Sequence, residues 1–404
     1  MLLALAAGGL SAQEPAGHVS GIRIRPMANL VPAVISADPI PGGSGLTEAR
    51  IVQPMLGIRV AALGDRLTFH GQLNGEGVTL ESGELGLGNW GEGFIDRRHP
   101  HTYFHELMLS LAHRRIVGSA ELGLGVSLGK GFVSFGTDDP MSRPPVRYPV
   151  NHHWSQILER AILLGQVRYR WVMLEGSLFN GDEPEHPSSW PNMDRFGDSW
   201  ALRGTILPVA GIELQLSRAS VHSPEHRAGA GLDQEKWSAS LRGEGSVGAR
   251  PAYGLVEWAR TDEASGAFRF ESWLGEGAIE LGRARPYLRL ESTVRPEEER
   301  TSAFRSRRPH LENSLLGASR WTALTGGVSV ELLRAGETFS VAPLVEGTLG
   351  HIAKHGEGLF QVADWYSRPD FWTVTLGVRA SYRMKNHRMG RYGLAETGAH
   401  GVHR

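Results

Sequence analysis

Residues 283–294 read RARPYLRLESTV. Successive side chains of an extended chain point to opposite sides. Ala284, Pro286, Leu288, Leu290 and Val294 therefore fall on one face, and Arg285, Tyr287, Arg289 and Glu291 on the other. One face is greasy and the other charged. Residues 372–382 repeat the pattern, with Val374, Leu376, Val378, Ala380 and Tyr382 set against Thr373, Thr375, Arg379 and Ser381. So do 117–128, where Ala120, Leu122, Leu124, Val126 and Leu128 oppose Glu121, and 212–217, where Ile212, Leu214 and Leu216 oppose Glu213, Gln215 and Ser217.

A soluble sandwich also alternates, so the connections decide. Strands are predicted near 22–35, 49–62, 66–76, 105–114, 116–128, 156–168, 170–180, 199–208, 212–222, 236–246, 250–261, 269–281, 284–295, 320–333, 338–350 and 371–384. Short joints such as Leu63-Gly64-Asp65, Tyr169-Arg170 and Gly282-Arg283 then alternate with long loops. Short turns on one side, long loops on the other and an even strand count describe a closed antiparallel transmembrane β-barrel. Sixteen strands are expected, with fourteen or eighteen allowed because Pro26 and Pro32 interrupt the first one. Backbone amides in lipid must all be paired, so the sheet must close. Trp171, Trp200, Trp237, Trp258, Trp321 and Trp372 lie near strand ends, as interfacial girdles require.

Composition agrees. The 404 residues are 41% hydrophobic and 21% charged with net charge −1, which excludes a basic nucleic-acid binder. Cys is absent, so thiol catalysis and thiolate metal sites are excluded, and no apolar run reaches the length of a membrane helix. Residues 1–12 read as the remnant of a signal peptide, cleaved after Ala12. Residues 13–384 are then the barrel, and 385–404 a polar periplasmic tail for which disorder is the default. Both termini are expected in the periplasm and the barrel in the cell outer membrane. Outer-membrane lipids, the barrel-assembly machinery and small solutes or ions are the partners implied.

Histidines crowd the long loops. Asp96, Arg97, Arg98, His99, His101, His105 and Glu106 lie within eleven residues; His152 and His153 precede another strand; His222 and Glu225 mark a third cluster. They are expected to converge at the loop-side rim. Imidazole ligates transition metals, so His99, His101, His105, His152 and His153 are candidate ligands of a divalent ion. The alternative, which we favour, is a clasp in which each ring bonds a neighbouring loop carboxylate or carbonyl. The lumen should be lined by Arg242, Glu244, Arg285, Arg289, Glu291 and Arg379, among others. No cofactor is otherwise expected. Gly-x-Ser-x-Gly is absent, and a hydrolase would have to draw on Ser110, His105 and Asp96.

Four ordered blocks, Asp96 to Thr102, His152 to Trp154, Ser177 to Gly181 and His222 to Glu225, resemble an uncharacterised bacterial outer-membrane β-barrel family with Asp-x-x-His-Pro-His-Asp, His-His-Trp, Ser-x-Phe-Asn-Gly and His-Ser-Pro-Glu blocks. Thr102 stands where that family has Asp. The resemblance implies a barrel and carries no substrate. The expected function is a porin-like channel for small hydrophilic solutes or ions. A non-conducting barrel whose His-rich rim binds a metal ion or partner is the alternative, and an outer-membrane hydrolase the third reading.

Overall fold

A computed structural model describes residues 21–40, 42–79, 101–118, 120–138, 140–302, 305–306, 315–336, 338–384 and 387–396. Residues 1–12, expected from the sequence to be a signal-peptide remnant, lie outside them. Sixteen strands make the wall: β1 Arg23–Asp38, β2 Leu46–Ala62, β3 Leu67–Asn74, β4 Phe104–Val117, β5 Ala120–Gly131, β6 Arg160–Tyr169, β7 Val172–Phe179, β8 Ser199–Ile206, β9 Ile212–Val221, β10 Gln234–Val247, β11 Arg250–Glu263, β12 Phe268–Ile279, β13 Ala284–Glu298, β14 Leu315–Val330, β15 Phe339–His355 and β16 Asp370–Tyr382. Every neighbour is antiparallel, and β1 pairs with β16 as well as β2, so the sheet has no edge. Leu333–Ala335 adds a short rung beside β15, and Arg300–Ser302 with Arg305–Ser306 forms a small separate hairpin.

The prolines of β1 are absorbed rather than excluded. Pairing of β1 with β16 starts at Ala28, beyond Pro26, and skips from Leu30 to Ala33, across Pro32. Proline has no N–H to give a ladder, and both sit where that ladder asks for none. A bulge between Asn29 and Val31 takes up the remaining strain against β2. Two loops expected to be long are short, 39–45 and 264–267, because β1, β2, β11 and β12 run further than their alternating cores.

The register is the expected one. Leu288, Leu290, Val374, Leu376 and Val378 are exposed on the outer surface, whereas Arg289 and Glu291 are buried inside. Val294 departs from its parity: it is buried against Trp154, Ala259 and Phe270. Trp321 keeps the inward parity of its strand but departs from the girdle expected of it. It is fully buried against Tyr366 and Phe371, with Arg295 over its ring, so it belongs to the interior and not to a girdle. Leu376 is flanked by Val34 on β1 and Val345 on β15, all three exposed in one apolar band. Leu376→Arg is expected to weaken assembly in lipid by about 2–4 kcal/mol, the range for a cation at mid-bilayer depth. Fractional folding into vesicles across a denaturant series measures it. A variant that folds like wild type would place this face away from lipid.

Two segments fill the interior. Residues 132–138 and 140–159, between β5 and β6, turn inward and are almost entirely buried. The tail is the larger correction. Residues 387–396 are not a loose periplasmic extension: Met389, Arg391, Tyr392, Leu394 and Ala395 are buried inside the barrel. The cause is complementarity that a polar reading of the tail overlooks. Its arginines meet wall carboxylates, and Tyr392 and Leu394 meet apolar wall patches. Gly123 and Gly125 on β5 make room, since a Cβ there would come within 3.1 and 3.2 Å of the Leu394 side chain.

Candidate functional site

The interior is a lattice of buried charge. On one side, carboxylates of the wall hold the inward loop. Glu257 of β11 takes Asn151 Nδ2 at 2.9 Å and Arg143 Nη2 at 3.3 Å. Glu291 of β13 pairs with Arg147 and accepts the Val150 amide at 2.7 Å. Glu346 of β15 accepts the amides of Val146 and Arg147 at 2.8 and 3.0 Å. On the other side, Glu213 of β9 takes Arg388 and Arg391 of the tail, and Glu106 of β4 accepts the Tyr392 hydroxyl at 2.5 Å. The loop and the tail also bind each other through Asp138 and Arg388 at 2.9 Å. Wall pairs Glu175–Arg203 and Glu276–Arg289 complete the set at 2.6 and 2.7 Å.

Such a lattice is stable only while every charge is answered, because a buried ion without a partner costs far more than the pair returns. Burial alone would raise the Asp138 carboxyl, but the Arg242, Arg388 and Arg143 guanidiniums outweigh it and hold it well below the usual Asp range. Burial, with Arg203 nearby, pushes Arg391 down to about 9 against the pull of Glu213. Burial, with His70 next to it, pushes His387 down to about 3, so its imidazole is uncharged.

The sequence-predicted rim residues divide. Asp96, Arg97, Arg98 and His99 lie outside the described residues. His101, His105, His152 and His153 do gather: ring centres are 5.1 Å apart for His101 and His105, 5.9 Å for His101 and His152, and 5.1 Å for His152 and His153. His101 Nδ1 meets Glu76 Oε2 at 3.0 Å, and His105 Nδ1 meets Glu159 Oε1 at 2.5 Å. Glu76 also accepts the Gln53 amide at 3.0 Å and the Tyr148 hydroxyl at 3.2 Å. Burial would raise both carboxyls, but the histidine partners outweigh it and both stay below the usual Glu range. Two of the four rings thus bond carboxylates of neighbouring segments, His105 of β4 with Glu159 and His101 with Glu76, which is the clasp arrangement. Glu106 bonds His70 instead. His222 and Glu225 belong to another connection, where His222 is exposed and bonds Asp233 at 2.6 Å. That connection folds on Arg195, which takes the carbonyls of Ser223 and His226.

Of the hydrolase candidates, Asp96 lies outside the described residues. Ser110 accepts the Ser127 hydroxyl at 2.7 Å, His105 bonds Glu159, and its other ring nitrogen has no hydrogen-bond partner. Arg242, Glu244, Arg285, Arg289, Glu291 and Arg379 all face inward. Arg242 bonds Asp138 and Glu244. Arg285 and Arg379 border a cavity of about 140 Å³ at the short-turn end, together with Arg143, Arg283, Arg334, Glu280, Glu331 and His387. Nε and Nη2 of Arg379 are buried there without a hydrogen-bond partner.

No family model and no curated protein sequence matches the chain. Solved structures do. The anion-selective porin from Comamonas acidovorans is 12% identical, with the match covering 89% of this chain and 100% of that one at a TM-score of 0.51. The fold is that of outer-membrane porins. OmpT of Vibrio cholerae is 9% identical over 90% of this chain and 98% of its own, with a TM-score of 0.48. OmpF of Salmonella typhi, in complex with daunomycin, is 10% identical over 90% and 98%, with a TM-score of 0.46. The porin-fold wall brings His70 and Glu106 against His387 of the tail. The sequence places Glu106 in the rim cluster and His387 in a polar tail. A signal was present: Arg388, Arg391 and Tyr392 form a basic, aromatic run that suits an acidic interior.

Proposed function

We propose that the chain is an integral outer-membrane channel for small hydrophilic solutes or ions, closed in this state by its inward loop and tail, with the short-turn edge facing the periplasm. One observation carries this reading: beside apolar clusters such as Val146 and Val150 with Ile35 and Phe371, both occluding segments are tied to buried wall carboxylates, the loop to Glu257, Glu291 and Glu346 and the tail to Glu213. A lumen meant to stay dry is filled more stably by hydrophobic side chains, whereas buried ion pairs are exchangeable for water. Barrels of this strand number enclose an aqueous channel once loops are displaced. The arginines around the turn-side cavity outnumber its two carboxylates, which favours anions at that end. No catalytic role is part of this reading.

The filled interior favours the second reading, a barrel that does not conduct. Planar-bilayer recordings separate them. Full-length protein is expected to show rare openings, and a chain truncated after Met384 to conduct several-fold more, with a reversal potential shifted toward anions. A truncated barrel that is folded and silent would support the non-conducting reading instead.

A further inference from the structure

Among the described residues, one set of three metal-capable side chains has donor atoms all within 4.8 Å of one another: His70 on β3, Glu106 on β4 and His387 on the tail. We propose that these three form a binding site for a divalent transition-metal ion, and that the ion fastens the tail inside the barrel. The site is distinct from the His101–His105–His152 clasp, whose Nδ1 atoms of His101 and His105 already bond carboxylates.

Geometry and chemistry agree. His70 Nε2 and Glu106 Oε2 are 3.1 Å apart. Two ligands at about 2.0–2.1 Å from a tetrahedral ion stand roughly 3.3 Å apart, so the observed pair needs only a small opening to admit one. The His387 ring lies against His70, ring centres 4.6 Å apart and 21° from parallel. His387 Nε2 is buried and has no hydrogen-bond partner. An orphaned buried nitrogen is costly in a folded protein, and an ion between the three groups removes that cost. The carboxylate is already oriented: Glu106 Oε1 accepts the Tyr392 hydroxyl at 2.5 Å and the Gly390 amide at 3.2 Å, both from the tail. Outer contacts of this kind set ligand direction. Two imidazoles with one carboxylate suit zinc, copper or nickel and not magnesium or calcium, which prefer all-oxygen sets.

The consequence is mechanical. Two ligands belong to the wall and one to the tail, so the full set exists only while the tail is in place. An ion that binds the tail-in state better must stabilise that state by linkage. This holds whether or not the barrel conducts.

Refolded full-length barrel is titrated with zinc and with copper(II), with magnesium as control, and folding of each variant is checked by heat-modified electrophoretic mobility. One saturable equivalent is expected for zinc and copper and none for magnesium. His387→Ala and His70→Ala should each weaken it by more than about tenfold, the lower bound seen for loss of mere outer-shell partners. His153→Ala in the clasp should leave it unchanged. Zinc should also slow tryptic cleavage after Arg388 and Arg391 in the wild type and not in His387→Ala. Absence of a saturable equivalent, its survival in His387→Ala, or its loss in His153→Ala would each overturn the assignment. Because His387 is outside the wall, its variant tests the site even if His70→Ala fails to fold.

Discussion

Glu291→Ala is expected to release the inward loop from the barrel wall. Glu291 pairs with Arg147 and accepts the Val150 amide, so one carboxylate answers both a guanidinium and a backbone donor. Arg147 is almost wholly buried, and its Nε and Nη2 have no hydrogen-bond partner even with Glu291 in place. Removing one member of a buried pair costs about 3–5 kcal/mol, mostly because the other charge is left unanswered. The wall itself loses little, since β13 keeps its ladders with β12 and β14. The cheaper response is for Arg147 to carry its loop out to water. Trypsin should then cut after Arg147 in a barrel that remains heat-resistant, while wild type is spared. Glu291→Gln retains an acceptor for the Val150 amide and should give a smaller effect. A loop still protected in Glu291→Ala would mean that Val146 and Val150, seated in an apolar cluster with Val31, Ile35 and Phe371, hold it without the charge.

The wall was legible because its rules are local. Period-two alternation fixes which face of each strand meets lipid, and a slip of one residue would reverse all of them. Leu376 outside and Arg289 inside follow from that rule alone. The inward segments obey no local rule. Residues 132–138 and 140–159 are buried with little regular structure, so no period marks them. Their place is set by pairings such as Arg147 with Glu291, separated in the chain by 144 residues. The tail is the extreme case. Tyr392 reaches Glu106 across 286 residues, and nothing near Tyr392 records that acidic partner. The histidine clasp was half legible: density of His101, His105, His152 and His153 near strand ends pointed to convergence, but not to Glu76 and Glu159 as partners. Val294 went wrong for a related reason. Alternation assumes one dry side and one wet side, and where loops pack into the lumen both sides become dry.

Glu213→Ala should expel the tail. Glu213 is its main ionic anchor: Oε2 accepts Arg388 Nη1 at 2.8 Å, and Oε1 accepts Arg388 Nη2 and Arg391 Nη2, each at 3.1 Å. Two-pronged guanidinium–carboxylate contacts are among the stronger polar pairs. Without Glu213, Arg388 keeps Asp138, but Arg391 is left with Glu175 at 4.0 Å, and Glu175 is already committed to Arg203. Burial already strains Arg391, so it is the residue least able to lose a partner. A cost of about 3–5 kcal/mol is again expected, set against the anchors that remain, Glu396 on Arg59 and Tyr392 on Glu106. Cleavage after Arg388 and Arg391 should accelerate, and the open level of the truncated barrel should appear in bilayer recordings of Glu213→Ala. The origin of the effect is checked by a double-mutant cycle. If the pair is what holds the tail, Arg388→Ala should add little in the Glu213→Ala background. Additive effects would show that Glu213 acts on the wall and that the tail is held elsewhere, through Tyr392 and Leu394.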